Sequence, residues 1–172
     1  MLLRNDALNM ISRYEVDQMV DSEKLNILID YWFIFEDENI KINDDLKNFL
    51  KENNFGDITE YSIFFDEVVV IGAIENNKIY SNVYISKKLS EYLGIYDVVE
   101  GDERKSLYKC PCCEFYSLKT LLEYEICRIC KWEDDGSEEA AYSFLNKSTL
   151  HNYRNIFFKN NKYSLLKQKF IT

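Results

Sequence analysis

The sequence predicts an α+β chain in two parts: a helix-rich amino-terminal domain with a few short strands over 1–103, and a small cysteine-rich module with a carboxy-terminal helix and tail over 104–172. Three observations predict it. Apolar residues recur at i, i+3 and i+4 through the first fifty residues, the spacing of a one-sided helix. Beyond Gly56 the pattern changes to short runs rich in β-branched and aromatic residues, as in buried strands. All five cysteines fall in two tight clusters between positions 110 and 130.

Taken in order, residues 2–19 place Leu3, Ala7, Met10, Ile11 and Tyr14 on one helical face. Asp21 has the chemistry of an N-cap, with Val20 placed to staple against Leu25. Leu25, Leu28, Ile29, Trp32 and Phe33 then predict a helix over 22–36 with a wide buried face. Asn43-Asp44-Asp45 can cap a third helix whose Leu46, Phe49 and Leu50 face inward, ended by Asn53-Asn54-Phe55-Gly56. Tyr61–Phe65, Val68–Ile71 and Lys78–Val83 read as strands, and Ser86–Tyr92 as a helix stopped by Gly94. The charged run 101–105 is the expected border between the two parts. In the second part, 147–158 is helical, with Leu150, Tyr153, Ile156 and Phe157 on one side, and 159–172 is a short strand or helix.

The chain has 172 residues, 47% of them hydrophobic and 15% aromatic, with only five Gly and one Pro. Such a chain can bury a sizeable core, and its aromatic content excludes disorder. The net charge of −9 is unevenly placed. Residues 1–105 hold 22 acids and 11 bases, whereas residues 106–172 hold 8 acids and 10 bases. The first part therefore repels nucleic acid and attracts cationic partners. Met1-Leu2-Leu3-Arg4 soon gives way to polar residues, so no secretory leader is expected. No window approaches the roughly 18 apolar residues of a membrane span. An odd number of clustered cysteines without a leader fits a reducing cytoplasm and metal ligation rather than disulfides.

Cys110-Pro-Cys112-Cys113 and Cys127-Arg-Ile-Cys130 each contain a C-x2-C pair, and thirteen residues separate the pairs. Two thiolates two residues apart can reach one tetrahedral ion from a single turn, and a second such turn closes the site. Cys110, Cys113, Cys127 and Cys130 are therefore expected to hold one structural Zn(II), with Cys112 left over. Iron in place of zinc stays open. A catalytic zinc would keep an open position with His or carboxylate ligands.

The motif CPCC, then Tyr124-Glu125-Ile126-Cys127-x-x-Cys130, then Trp132-Glu133-Asp134-Asp135, resembles the bacterial cysteine-rich CPCC family over about 108–158. Members usually have Gly where Glu114 stands, and commonly an aromatic where Lys131 stands. The resemblance implies a zinc-ribbon-like domain without an established enzymatic activity, recurring beside bacterial toxin–immunity genes.

Other features have a structural and a functional reading. Trp132 is expected to pack over the metal. Glu133-Asp134-Asp135 reads as a loop-fixing or capping run, with a divalent-ion or partner-binding role as the sharper alternative. His151 is the only histidine, and it lies on an amphipathic helix without the companions of a catalytic triad. Lys147, Arg154, Lys159, Lys162, Lys167 and Lys169 form a basic tail that balances the acidic part or touches phosphate. Residues 1–100 hold no glycine-rich phosphate loop, no H-E-x-x-H and no G-x-S-x-G.

The expected function is that of a non-catalytic immunity-type protein that neutralises a cognate, basic toxin, a nuclease being one candidate. Glu36, Asp37, Glu38, Asp44, Asp45, Asp66 and Glu67 would form the contact surface, since carboxylates with aromatic anchors suit a basic cleft. A zinc-dependent regulatory adaptor for protein or nucleic acid is the alternative. An enzyme built on Glu133–Asp135 is a third. No membrane or small-molecule partner is expected.

Overall fold

Val68-Val69-Val70-Ile71 is helical rather than extended. It lies within α4 (Asp66–Asn77), and Ile63–Phe65 before it is a single 3-10 turn. The expected strands at 61–65 and 68–71 are therefore corrected. Val68, Val69, Val70 and Ala73 are all buried. Ile71 and Ile74 on the remaining face are also apolar, though only half-buried, so the helix shows no narrow apolar stripe and its pattern equals that of a buried strand.

The computed structural model describes residues 1–38, 40–104 and 107–172. Contacts divide them into one unit at Asn5–Asn77 and another at Met1–Arg4 with Lys78–Thr172. Lys105, at the end of the expected border segment, lies outside the described residues.

The 5–77 unit is helical. Its helices are α1 (Arg4–Gln18, from the second residue of which the unit begins), α2 (Asp21–Asp30), α3 (Asp44–Glu52) and α4. α2 starts at Asp21, the residue expected to cap it, so the cap falls one residue earlier. Val20 is at the N-cap, and the Glu23 carboxylate accepts its N–H at 3.1 Å. The helix predicted over 22–36 breaks at Tyr31 and continues as a 3-10 segment, Trp32–Glu36. Trp32 keeps the buried face of Leu28 through the break, 1% exposed, while Phe33, expected on that face, stays outside. α3 has its expected cap: Asn43 Oδ1 accepts from the N–H groups of Asp45 and Leu46, and Leu46 and Leu50 are buried. At the end of α4, Asn77 Nδ2 donates to Ser12 Oγ at 3.0 Å and Glu15 Oε2 at 2.7 Å, which satisfies a buried amide.

Gly72 lets α2 and α4 meet. A Cβ there would lie 2.6 Å from Ile27 Cγ2 and 2.7 Å from Tyr31 Cδ2. Gly72→Ala is expected to lower stability by about 2 kcal/mol through overpacking, despite the higher helix propensity of Ala. A shift of the urea midpoint measures it, and an unchanged midpoint would mean the interface yields.

The second unit is tied together by residues far apart in sequence. β1 (Leu2–Leu3) pairs in parallel with β2 (Val99–Glu100). Arg4 donates to the carbonyls of Lys78 and Tyr80 and to Asn82 Oδ1 at 2.7–2.9 Å. α5 (Asn82–Leu93) is capped by Ser81 and ended by Gly94 at φ 66, in the left-handed region that suits glycine. The strand expected over 78–83 is corrected: Tyr80 makes only an isolated bridge to Phe170, and Asn82 and Val83 open α5, because the Ser81 side chain caps a helix there. Ser81 N–H donates to Lys169 O, and Ile171 N–H to Ile79 O.

Next come the antiparallel pair β3 (Tyr108–Lys109) and β4 (Tyr116–Leu118), and the hairpin of β5 (Tyr142–Ser143) and β6 (Ser148–Thr149). α6 (Leu150–Asn160) and α7 (Tyr163–Lys169) follow. Tyr116 N–H donates to Ile171 O, so the chain end lies between the 79–81 segment and β4. The border expected at 103/104 thus falls inside this unit, because the carboxy terminus hydrogen-bonds to residues before α5. Its core runs from Ile79 through the cysteines to Phe170 and Ile171.

Candidate metal centre

The two C-x2-C turns are built alike. Cys110 N–H donates to Phe115 O at 3.0 Å, and Cys127 N–H to Trp132 O at 2.8 Å. Glu114 N–H returns to Cys110 O and Lys131 N–H to Cys127 O, both at 2.9 Å. Each loop thus reverses within five residues and ends on a buried aromatic, Phe115 or Trp132. Reversal demands a left-handed residue after the second cysteine. Glu114 and Lys131 occupy that conformation, at φ 63 and 66, at a cost to an L side chain of about 1–2 kcal/mol. Glu114→Gly and Lys131→Gly are each expected to stabilise the metal-loaded protein by about 1 kcal/mol. Both side chains are exposed, so little contact is lost. A rise of the thermal midpoint by a few degrees checks this, and a fall would show that the side chains hold the turns.

The turns bring four sulfurs together. Cys110 Sγ lies 3.6 Å from Cys130 Sγ, and Cys113 Sγ lies 3.7 Å from Cys127 Sγ. All four lie within 4.8 Å of one another, and all are buried. Metal–sulfur arms of about 2.3 Å at tetrahedral angles give an edge of about 3.8 Å. A disulfide would need a sulfur separation near 2.05 Å, and all five thiols are free. The residues fit one tetrahedral metal ion, and the four expected ligands are the four that converge. Cys112 is buried but outside this set.

The surroundings stabilise sulfur as thiolate. Ser117 Oγ lies 3.1 Å from Cys127 Sγ, and the N–H groups of Ile129 and Cys130 point at the same sulfur at 3.4 Å. Cys112 N–H does the same for Cys110 Sγ. Hydrogen bonds from Cys110, Cys113 and Cys130 pull Cys127 below the ordinary thiol range. Cys113 is pushed up by its hydrogen bonds to Cys110 and then to Cys127. Four thiolates this close together repel one another, and a divalent cation would take the place of their protons as the compensating positive charge.

α6 closes the site from one side. Arg154 Nε donates to Cys112 O at 3.0 Å, one terminal nitrogen to Pro111 O at 2.7 Å, and the other to Glu139 Oε1 at 2.8 Å. Tyr153 OH donates to Cys130 O at 3.0 Å, and its ring meets Trp132 edge-on at 5.3 Å. Trp132 is thus a packing residue, 1% exposed. Sequence reasoning placed Arg154 in a basic tail and gave no role to Ser117. Nothing in their local patterns marks either one, because their partners lie 42–43 and 10 residues away.

The Glu133-Asp134-Asp135 run fixes loops. Asp134 is buried and its Oδ2 accepts from Leu122 N–H. Asp135 accepts from Ser143 Oγ at 2.6 Å and Ser137 N–H. Asn146 bonds both backbone groups of Glu133, at 2.8 Å each. His151 is exposed on α6, with Nδ1 3.6 Å from Glu139 Oε1.

Of the acids expected to face a partner, Glu36, Asp37 and Glu38 are exposed. Asp44 and Asp45 lie in the first turn of α3, and Asp66 and Glu67 in that of α4, where carboxylates offset the helix dipole. Asp66 also accepts from Tyr61 OH, and Glu67 from Asn43 N–H at 2.9 Å. These four have intramolecular roles, of which only the helix start at Asp44 and Asp45 is visible in local sequence.

Residues 108–163 match the family model described as cysteine-rich CPCC. This segment is a cysteine-rich CPCC domain. The match begins at β3 and ends at the first residue of α7, so the CPCC domain includes both knuckles, the β5–β6 hairpin and the clamping helix. The comparisons gave no match to a curated protein or to a solved structure. Among the described residues no helix is long and apolar enough to cross a membrane.

Proposed function

We propose that the chain is a non-catalytic, immunity-type inhibitor whose acidic 5–77 unit covers a cationic protein, a basic toxin such as a nuclease, while one zinc ion staples the CPCC domain. The observation that carries the reading is the division of charge between the two units. Residues 5–77 hold 17 acids and 5 bases, a net −12, whereas the remainder holds 13 acids and 16 bases, a net +3. A single-signed surface of this kind speeds encounter with an oppositely charged protein and disfavours nucleic acid. The toxin–immunity context that the CPCC resemblance implies points in the same direction.

Zinc is the metal that suits four thiolates in a closed tetrahedron with no position for substrate. A thiol-only site also fits the reducing cytoplasm. The adaptor reading draws less support, since Arg154, one of the six bases counted for nucleic-acid contact, is engaged by knuckle carbonyls and Glu139.

The test is reconstitution with the product of the adjacent gene. Stoichiometric binding that blocks its toxicity and weakens at least tenfold on reversing Glu36-Asp37-Glu38 to lysine is expected. A neighbourhood without a toxin, or a toxin untouched by equimolar protein, would refute the reading.

A further inference from the structure

We propose that a groove in the 5–77 unit, beside its two central 3-10 turns, is an anchor pocket for an arginine side chain of a cationic protein partner. This rests on the reading that the unit binds a basic protein. It locates the energetic centre of that surface away from the acidic runs that stand out in the sequence.

The groove measures about 420 Å³ and lies between Phe55–Asp57 and Ile63–Phe65. Phe49, Phe64 and Phe65 line it as a floor. Their rings meet edge-on in all three pairs, with centroids 5.4–5.6 Å apart. The floor is therefore fixed by its own packing. Phe65 is buried, but Phe64 is 43% exposed, and at the flanking turns Phe55 and Ile63 are 44% and 81% exposed. Large apolar residues left in water within a strongly charged unit are the composition of an interface centre, where aromatic anchors dominate affinity.

The wall supplies charge. Asp57 and Glu60 line the same groove, and both are exposed. Neither has a basic partner among the described residues. Asp44, Asp45, Asp66 and Glu67, by contrast, serve helix starts or hydrogen bonds within the unit.

An aromatic floor with two unpaired carboxylates at its side selects its occupant. A planar guanidinium stacks on a ring face and presents forked N–H donors to carboxylates. A lysine ammonium is more strongly hydrated and stacks less well. An apolar side chain would leave both carboxylates desolvated and unpaired, and an anion is repelled. The net −12 of the unit draws a cationic partner to this unit.

The experiment titrates the full-length, metal-loaded protein with a tetra-arginine peptide at 0.15 M salt, and with tetra-lysine and tetra-glutamate in parallel, by heteronuclear NMR. The expected result is saturable shifts confined to Phe49 and residues 55–65, arginine binding more tightly than lysine, and none from glutamate. Asp57→Asn with Glu60→Gln, both at exposed positions, should weaken arginine binding at least tenfold, and Asp44→Asn with Asp45→Asn less than twofold. Phe64→Ala should remove the arginine-over-lysine preference; an unperturbed fingerprint spectrum confirms that the variant folds. Shifts that saturate elsewhere on 5–77, or an unaffected Asp57/Glu60 double variant, overturn the pocket and leave the basic-partner reading standing. Absence of any binding to 5–77 overturns both.

Discussion

Cys127→Ser is expected to abolish metal binding and unfold the CPCC domain. Cys127 is the most heavily engaged of the four ligands. Its sulfur faces Cys113 at 3.7 Å, Ser117 Oγ at 3.1 Å and two backbone N–H groups at 3.4 Å. A serine oxygen is a poor substitute in a soft four-thiolate set. Structural zinc supplies roughly 10–16 kcal/mol of folding free energy in small ligand sets, and a whole domain has only about 5–15 kcal/mol of net stability. The loss therefore exceeds what the apolar residues around the site can replace.

Elemental analysis should fall from about one ion per chain to less than about 0.1, as expected when one of four ligands is lost. Limited proteolysis should open 108–163. Cys112→Ser, outside the ligand set, should keep its metal. Retained metal and unchanged protection in Cys127→Ser would contradict the four-thiolate site. The same chemistry fixes the sign of the pH dependence. The ion requires all four thiols deprotonated, so protons compete with it, and affinity falls as pH is lowered. Release to a chelator should accelerate on acidification, and a pH-independent rate would count against thiolate ligation.

Arg154→Ala is expected to cost about 3 kcal/mol and to weaken metal binding by about 10–100-fold. The guanidinium satisfies the carbonyls of Pro111 and Cys112 at once and is held by Glu139. Its removal leaves two acceptors of the first knuckle without their donor. It also removes a positive charge beside a cluster that carries a net −2 when four thiolates bind one dication. Arg154→Lys should recover less than half, since a single ammonium cannot fork to two carbonyls and a carboxylate. Competitive chelator titration measures the affinity and urea unfolding the stability. Wild-type values for both in Arg154→Ala would show that α6 merely lies near the knuckle.

What could be read from residue order follows from short-range geometry. α1, α3, α6 and the Gly94 stop of α5 are visible because caps and i, i+3 spacing act within one or two turns. Asn43 caps α3 as its side chain requires. The break at Tyr31–Phe33 within the expected 22–36 helix is not visible, because Leu28 and Trp32 keep helical spacing through it. Val68–Ile71 shows the opposite failure. Three consecutive valines favour strand by propensity, yet an apolar run without a narrow stripe suits a helix equally, and packing against α2 decides.

By itself the sequence determined which four cysteines converge, the family of the 108–163 segment and the excess of acid in the amino-terminal part. Each depends on residue type and spacing within a few dozen positions, and two C-x2-C turns can close on one ion in few other ways. Only the tertiary structure decided which unit residues 78–104 join, that Arg154 clamps a knuckle, and that Asp57 and Glu60, beside an aromatic groove, have no basic partner among the described residues while Asp44, Asp45, Asp66 and Glu67 serve helix starts. The physical reason is that these outcomes depend on partners brought close by folding. A carboxylate or guanidinium carries the same charge in any sequence context, and what it does is set by which donors, acceptors and rings the fold places within reach.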